Sequence, residues 1–336
     1  MATVRIFLPT YRRTRLLQRA MASLQAQTFS DWICEVHNDA PDDDAPAATV
    51  ARLGDARFSY HRHARNLGGT ATFNLFFRAT PEPFYAMLED DNGWEPAFLE
   101  KMLAVAARHP DVTVFWSNQS VWQENADGEV RPTGRTVHLF EPSDAPRRIA
   151  WGQPAQILGA LHSHGSALFR SRPGDDFSTP AVPIALVEAF RERRFPYPLV
   201  FVPEPLAQFT ITRATARSQD RAEWAVLQTM LAATYLKHAS PAATERVALW
   251  QRAREQQPPA TGTLFLAAFA EPACRAGLRH ARVADWIRWM RGAVRHPRVL
   301  PRVLGSRRRH ADWWQFLDRA TAEQFARSRH AAIPPK

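Results

Sequence analysis

A chain of 336 residues with 45% hydrophobic content can bury a full core, which makes this an ordinary globular protein of one large or two modest domains. Its two cysteines, Cys34 and Cys274, lie far apart, which argues against a disulfide framework and for a reducing compartment. The net charge of +10 sits in the tail: residues 271–336 carry 15 Lys or Arg against 5 Asp or Glu, so the preceding 270 residues carry 28 of each and are neutral.

In chain order, residues 4–9 read as a buried strand and 14–25 as a helix with Leu16, Leu17, Ala20, Met21 and Leu24 inward. Residues 32–38 read as a second strand, 47–53 as a helix, 58–61 as a strand, 69–79 as a helix, and 84–88 as a strand. This βαβ order predicts a parallel sheet covered by helices, with ligands outside the carboxyl ends of the strands. A helix over 96–108 opens on Pro96. After a further strand at 200–206 the chain becomes helical at 223–238, 242–256 and 263–269, and a boundary near 215/216 separates a catalytic domain (1–215) from a basic helical extension (216–336).

The strand at 84–88 ends in Glu89, Asp90 and Asp91. Like charges side by side repel unless a cation lies between them, so this tip asks for a metal. Oxygen ligands with no Cys or His beside them suit a hard ion, Mg²⁺ or Mn²⁺, which commonly arrives with phosphates. A solvated acidic turn ahead of the 96–108 helix is the bland alternative. Thr10 with Tyr11, Asn38 with Asp39, and the acidic triplet fall at neighbouring strand ends, which favours a shared crevice.

The ordered set Leu8-Pro9-Thr10-Tyr11, Gln27-Thr28-Phe29-Ser30-Asp31-Trp32, Asn38-Asp39, Arg65-Asn66-Leu67-Gly68 with Asn74, and Glu89-Asp90-Asp91 resembles the family 2 glycosyltransferases. The resemblance covers roughly the first 120 residues and implies a GT-A fold: α/β, Rossmann-like, a mostly parallel sheet flanked by helices. It further implies that Pro9, Thr10 and Tyr11 lie along the nucleotide and that Asp39 accepts a hydrogen bond from the base, uracil in the usual case. Arg65 matches the basic residue near the diphosphate, with Asn66 and Gly68 shaping its turn. Asp90 would meet the ribose and Asp91 the metal, with Glu89 joining the metal site through water. The implied activity is inverting transfer of a sugar from a nucleotide donor to a hydroxyl, which needs a general base on the acceptor side.

Here the sequence departs from the family. The helix-heading acid that usually supplies the base is missing from the stretch 178–188, leaving Asp176, just upstream, and Glu188, on the helix, as candidates. The segment 161–170 resembles the acceptor-side loop and next strand. Its His162 and His164, two apart on one face, suit polar recognition of acceptor or diphosphate better than a metal pair without a third ligand.

In the tail, Val283, Trp286, Ile287, Met290 and Val294 share a helical face, while Arg282, Arg288, Arg291 and Arg295 occupy others. Trp and Arg together suit an anionic membrane surface, and packing of the stripe on the catalytic domain is the alternative. No nucleic-acid docking module is recognisable. No stretch approaches the ~20 apolar residues of a membrane span, and the opening residues are too short an apolar core for a signal peptide. The expectation is a cytoplasmic enzyme, peripheral on the inner face of the membrane, acting on a glycan or lipid-linked glycan in bacterial surface polysaccharide assembly. A catalytically inactive sugar-nucleotide binding protein is the first alternative. The second, a nucleotidyltransferase, would open on a Gly-rich phosphate loop instead of Pro9-Thr10-Tyr11.

Overall fold

The structure is a computed structural model that describes residues 2–138, 145–152, 163–213, 220–256 and 259–331. The described residues of Met1–Ile149, His162–Ile184 and Phe195–Ala216 form one compact unit, and those of Ala150–Leu161, Ala185–Arg194 and Arg217–Lys336 a second.

The first unit opens as the periodicity predicts. Strand β1 (Val4–Thr10) is followed by α1 (Thr14–Gln25), β2 (Trp32–Asn38), α2 (Ala45–Leu53), β3 (Phe58–Arg62), α3 (Gly69–Phe76) and β4 (Phe84–Met87). Val4, Ile6 and Leu8 of β1 and Leu17, Ala20, Met21 and Leu24 of α1 are buried in one core with Trp32, Cys34 and Val36 of β2. Alternation in the strands and 3.6-residue spacing in the helix thus meet across one layer. Strand β1 pairs in parallel with both β2 and β4, and β2 with β3, so the carboxyl ends of all four point the same way.

Beyond β4 the sheet is mixed. Short β5 (Gly93–Trp94) leads to α4 (Phe98–Arg108), then β6 (Val114–Glu124), β7 (Val130–Thr136), β8 (Arg147–Ile149), β9 (Ala167–Arg170) and β10 (Leu199–Ile211). Among the described residues this gives ten strands in the order β3-β2-β1-β4-β9-β6-β10-β5, with β7 on β6 and β8 on β10. Strand β9 runs antiparallel between β4 and β6, while β6 and β10 pair in parallel.

The second unit holds most of α5 (Ile184–Glu192), then α6 (Arg221–Ala239), α7 (Ala243–Glu255), α8 (Thr261–Ala270), a 3₁₀ segment (Pro272–His280), α9 (Val283–Arg295), α10 (Val299–Arg309) and α11 (Ala311–Ala331). Trp286 does not share the outward stripe expected of it. Its ring lies 4.5 Å from Phe265, and Trp289 packs 5.1 Å from Phe269. Packing these two half-buried rings within the unit leaves Val283, Ile287, Met290 and Val294 exposed, at 76%, 40%, 50% and 82%. Among the described residues no helix is long and apolar enough to cross a membrane.

Candidate active site

The carboxyl ends of β1, β2 and β4 bring together the residues the sequence singles out there. After β1, the Thr10 hydroxyl donates to Asp90 Oδ2 at 2.9 Å, and the Tyr11 amide points at the same oxygen from 3.4 Å. Asp90 therefore fastens the Pro9–Tyr11 loop. Its side chain is buried, and burial first, then the Asp91 charge, push its carboxyl up to about 7.

Arg13 is the residue the sequence reading passed over. It starts from the loop after β1, and its Nη1 donates to Asp91 Oδ2 at 2.7 Å while lying 3.5 Å from Asp90 Oδ1. Burial works against the Arg13 charge, but Asp90 and Asp91 outweigh it and its pKa rises. A second arginine, Arg19 on α1, donates to the Asp91 carbonyl at 3.2 Å and to Thr210 Oγ1 at 3.0 Å, with its guanidinium 5.1 Å over the Trp122 ring. The repulsion read from adjacent acids is thus met by cations from the first loop and helix. Nothing in the spacing of Arg13 reveals this, although its place directly after Pro9-Thr10-Tyr11-Arg12 was a cue.

Glu89 faces a different neighbourhood from Asp91. Asn92 Nδ2 donates to Glu89 Oε2 at 3.1 Å and Ser163 Oγ to Oε1 at 3.3 Å. A Cβ on Gly165 would fall 1.9 Å from Oε2, so a larger residue there would push this carboxylate aside. Glu89 ties the β4 tip to the turn at Ser163–Gly165, whose Gly165 carbonyl also accepts from Trp94 Nε1 at 2.6 Å. His164, in that turn, is fully buried with its ring 4.8 Å from Phe77 and 5.9 Å from Phe195. His162 lies outside the described residues.

After β2, buried Asp39 acts as a clamp. Its Oδ1 accepts from the Leu67 amide at 2.8 Å and contacts His63 Nδ1 at 2.9 Å, and its Oδ2 accepts from the Gly68 amide at 3.0 Å. A carboxylate has about four lone-pair positions, so one is left for a donor from a ligand. Arg65 and Asn66 ride exposed on the loop so held. Gly68, at φ +80° and ψ 152°, caps α3 in a conformation that side chains avoid, with open space where its Cβ would be.

Helix α3 in turn holds the segment expected to carry the base. Asn74 Oδ1 accepts from the Thr179 amide at 3.0 Å and its Nδ2 donates to the Thr179 carbonyl at 2.8 Å, while Thr70 Oγ1 donates to the Val182 carbonyl. Asp176 is exposed on this segment, with Ser178 Oγ donating to its Oδ1 at 2.5 Å. Glu188 is half-buried on α5, in the second unit.

With this geometry in view, the comparisons with known proteins speak first to the fold. The chain is similar to S. aureus TarS (residues 1–349, solved in complex with UDP-GlcNAc), with a TM-score of 0.52 and 12% identity over 96% of this chain and 91% of that one. This likeness shows the architecture expected from the sequence, a GT-A α/β fold with a helical C-terminal region. Residues 5–170, just under half of the chain, match the model of Glycosyl transferase family 2. WcaA of Escherichia coli (strain K12), named as a colanic acid biosynthesis glycosyl transferase, is 26% identical over 44% of this chain and 51% of its own length. Protein CgeD of Bacillus subtilis (strain 168) is 28% identical over 38% of this chain and 31% of its own. The chain thus matches about half or less of the length of these curated relatives.

Proposed function

We propose that the protein is an inverting glycosyltransferase that moves a sugar from a nucleoside diphosphate donor, a UDP-sugar, to a hydroxyl of a glycan or lipid-linked glycan in bacterial surface polysaccharide assembly. The observation that carries this reading is the convergence of the Thr10–Tyr11 loop, the Asp39-clamped turn and the Arg13–Asp90–Asp91 group at adjacent strand ends. The UDP-GlcNAc complex of TarS and the name of WcaA support the donor class and the pathway type.

Pro9, Thr10 and Tyr11 line the nucleotide, Asp39 offers its remaining lone pair to the base, and Asp90 holds the loop in place while facing the ribose. Arg65, with Asn66 and Gly68 setting its turn, and Arg13 supply positive charge for the diphosphate. The hard oxygens of Asp91, beside an acid whose pKa is lifted first by burial and then by the Asp91 charge, fit Mn²⁺ or Mg²⁺. When bound, such an ion stabilises negative charge on the departing diphosphate as a Lewis acid. Glu89 holds the β4 tip in register behind Asp91. Asp176, or Glu188 in its place, is the proposed acceptor base, and the Ser163–Gly165 turn with His164, together with His162, forms the proposed acceptor side.

The direct test is UDP release from a panel of UDP-sugars with Mn²⁺. Release with at least one sugar, lost in Asp91→Asn, is expected. Tight UDP binding without release from any sugar would instead favour a noncatalytic binding protein, a reading that draws on the engagement of Asp176 by Ser178.

The exposed row Val283, Ile287, Met290 and Val294, interleaved with Arg288, Arg291 and Arg295, supports peripheral attachment to an anionic membrane from the cytoplasmic side. Full-length protein should float with vesicles containing phosphatidylglycerol and not with neutral ones. Ile287→Glu with Met290→Glu should abolish flotation, and unchanged flotation of that variant would refute the attachment.

A further inference from the structure

A set of titratable groups lies on β2 and β3, away from the acids at the β4 tip. In the parallel register His37 is the direct partner of His61 and Glu35 that of Ser59, so alternation places Glu35, His37 and His61 on one face. Each offers one ligand atom, and the three atoms lie within 4.8 Å of one another.

With both rings neutral, the hydrogen bonding along this face lacks one proton. Glu35 Oε2 lies 3.1 Å from His37 Nε2, His37 Nδ1 lies 3.2 Å from His63 Nε2, and His63 Nδ1 lies 2.9 Å from Asp39 Oδ1. Three contacts join two carboxylates through two imidazoles, and a neutral imidazole carries a single N–H. Two neutral rings therefore fill two contacts and leave one with acceptor facing acceptor. With His63 donating to Asp39 and His37 to His63, the bare contact is Glu35 Oε2 against His37 Nε2. That is the gap beside which His61 stacks, its ring 4.9 Å from His37.

We propose that Glu35, His37 and His61 bind a Zn²⁺ ion, with water completing the coordination. In a tetrahedral zinc site, bonds of about 2.0–2.2 Å set neighbouring ligand atoms about 3.3 Å apart, close to the separation of Glu35 and His37. The surrounding contacts are those a metal site uses to orient its ligands. Arg5 pairs with Glu35 while gripping Glu82 at 2.6 and 2.7 Å, and Ser59 Oγ lies 3.2 Å from His61 Nε2. His63 hands the orientation of His37 on to Asp39, so the ion would stiffen the Leu67–Gly68 turn through that relay. This site is separate from the ion proposed at Asp91 and stands whether or not the protein transfers sugar.

The test is calorimetric titration of full-length, metal-free protein with ZnCl₂ in an Asp91→Asn background, which removes the other site. One equivalent should bind, and His61→Ala or Glu35→Gln should each weaken it at least tenfold. His61 is exposed, so its replacement keeps the fold, and matched thermal melts verify this. X-ray absorption of the complex should show nitrogen and oxygen ligands only. Binding undiminished in both variants, or no binding in the parent, would overturn the proposal. The latter result, with a histidine charge on the His37–His63 pair persisting by NMR at pH 8, would show that a proton fills the gap.

Discussion

Arg13 stands where a positive charge is needed by two acids that adjoin in sequence and share one burial site. Its removal should leave Asp90 and Asp91 uncompensated and cost about 1–3 kcal/mol of stability at neutral pH without metal. In Arg13→Ala, Mn²⁺ should therefore raise the melting temperature by more than it does in the native chain. Equal gains would mean that guanidinium and metal ion do not answer to the same charge. The acids themselves were legible, because adjacent carboxylates at the end of an apolar run carry their own electrostatic argument. Arg13 was not, because a long side chain reaches its partner in space and leaves no periodic trace. Glu89 shows the same limit: its turn toward Ser163 and Gly165 depends on a glycine far off in sequence.

Among the elements, those read correctly follow one period throughout, as α1 does with Leu17, Ala20, Met21 and Leu24 buried. Strand β6 escaped notice because its buried centre is polar. Ser117, Asn118 and Gln119 are all buried, and Asn118 is satisfied by the Gln119 amide at 2.9 Å and the His138 amide and carbonyl, each at 3.0 Å. A polar run reads as a loop until its partners are known. At the head of α3, Gly68→Ala meets no clash but forces a side chain into a backbone region nearly reserved for glycine, at a cost of about 1–3 kcal/mol. Unfolding titrations should show that loss together with weaker UDP binding, while loss of stability alone would uncouple the turn from the nucleotide. In α9, Asp285 accepts from Arg254 at 2.9 and 2.8 Å and from the Arg282 amide at 2.9 Å. Burial would lift its carboxyl, but these bonds and the neighbouring arginine charges outweigh that and hold it below its ordinary value. A depressed acid stabilises the folded state above its unfolded pKa, and that stability is lost as pH falls through the folded pKa. Asp285→Asn should thus be destabilising at pH 7, and its deficit should shrink steadily below pH 4. A deficit that stays constant with pH would assign the effect to packing.

For the whole molecule, charge and chemistry are segregated along the chain: neutral through the first 270 residues and strongly basic after them. That division was visible in composition, whereas the inward turn of Trp286 needed the partner ring of Phe265. Within the sheet-bearing unit, α3 is held at its head by Asp39 through Gly68 and along its body by the 179–182 segment through Asn74 and Thr70. A helix fastened at both places transmits displacement as a rod does. Loading the nucleotide side should therefore be felt at Thr179, and hydrogen exchange of its amide should slow when UDP binds. In Asn74→Ala that response should vanish while UDP affinity persists. Under the proposed function, such a linkage would make donor and acceptor bind cooperatively, each raising the other's affinity.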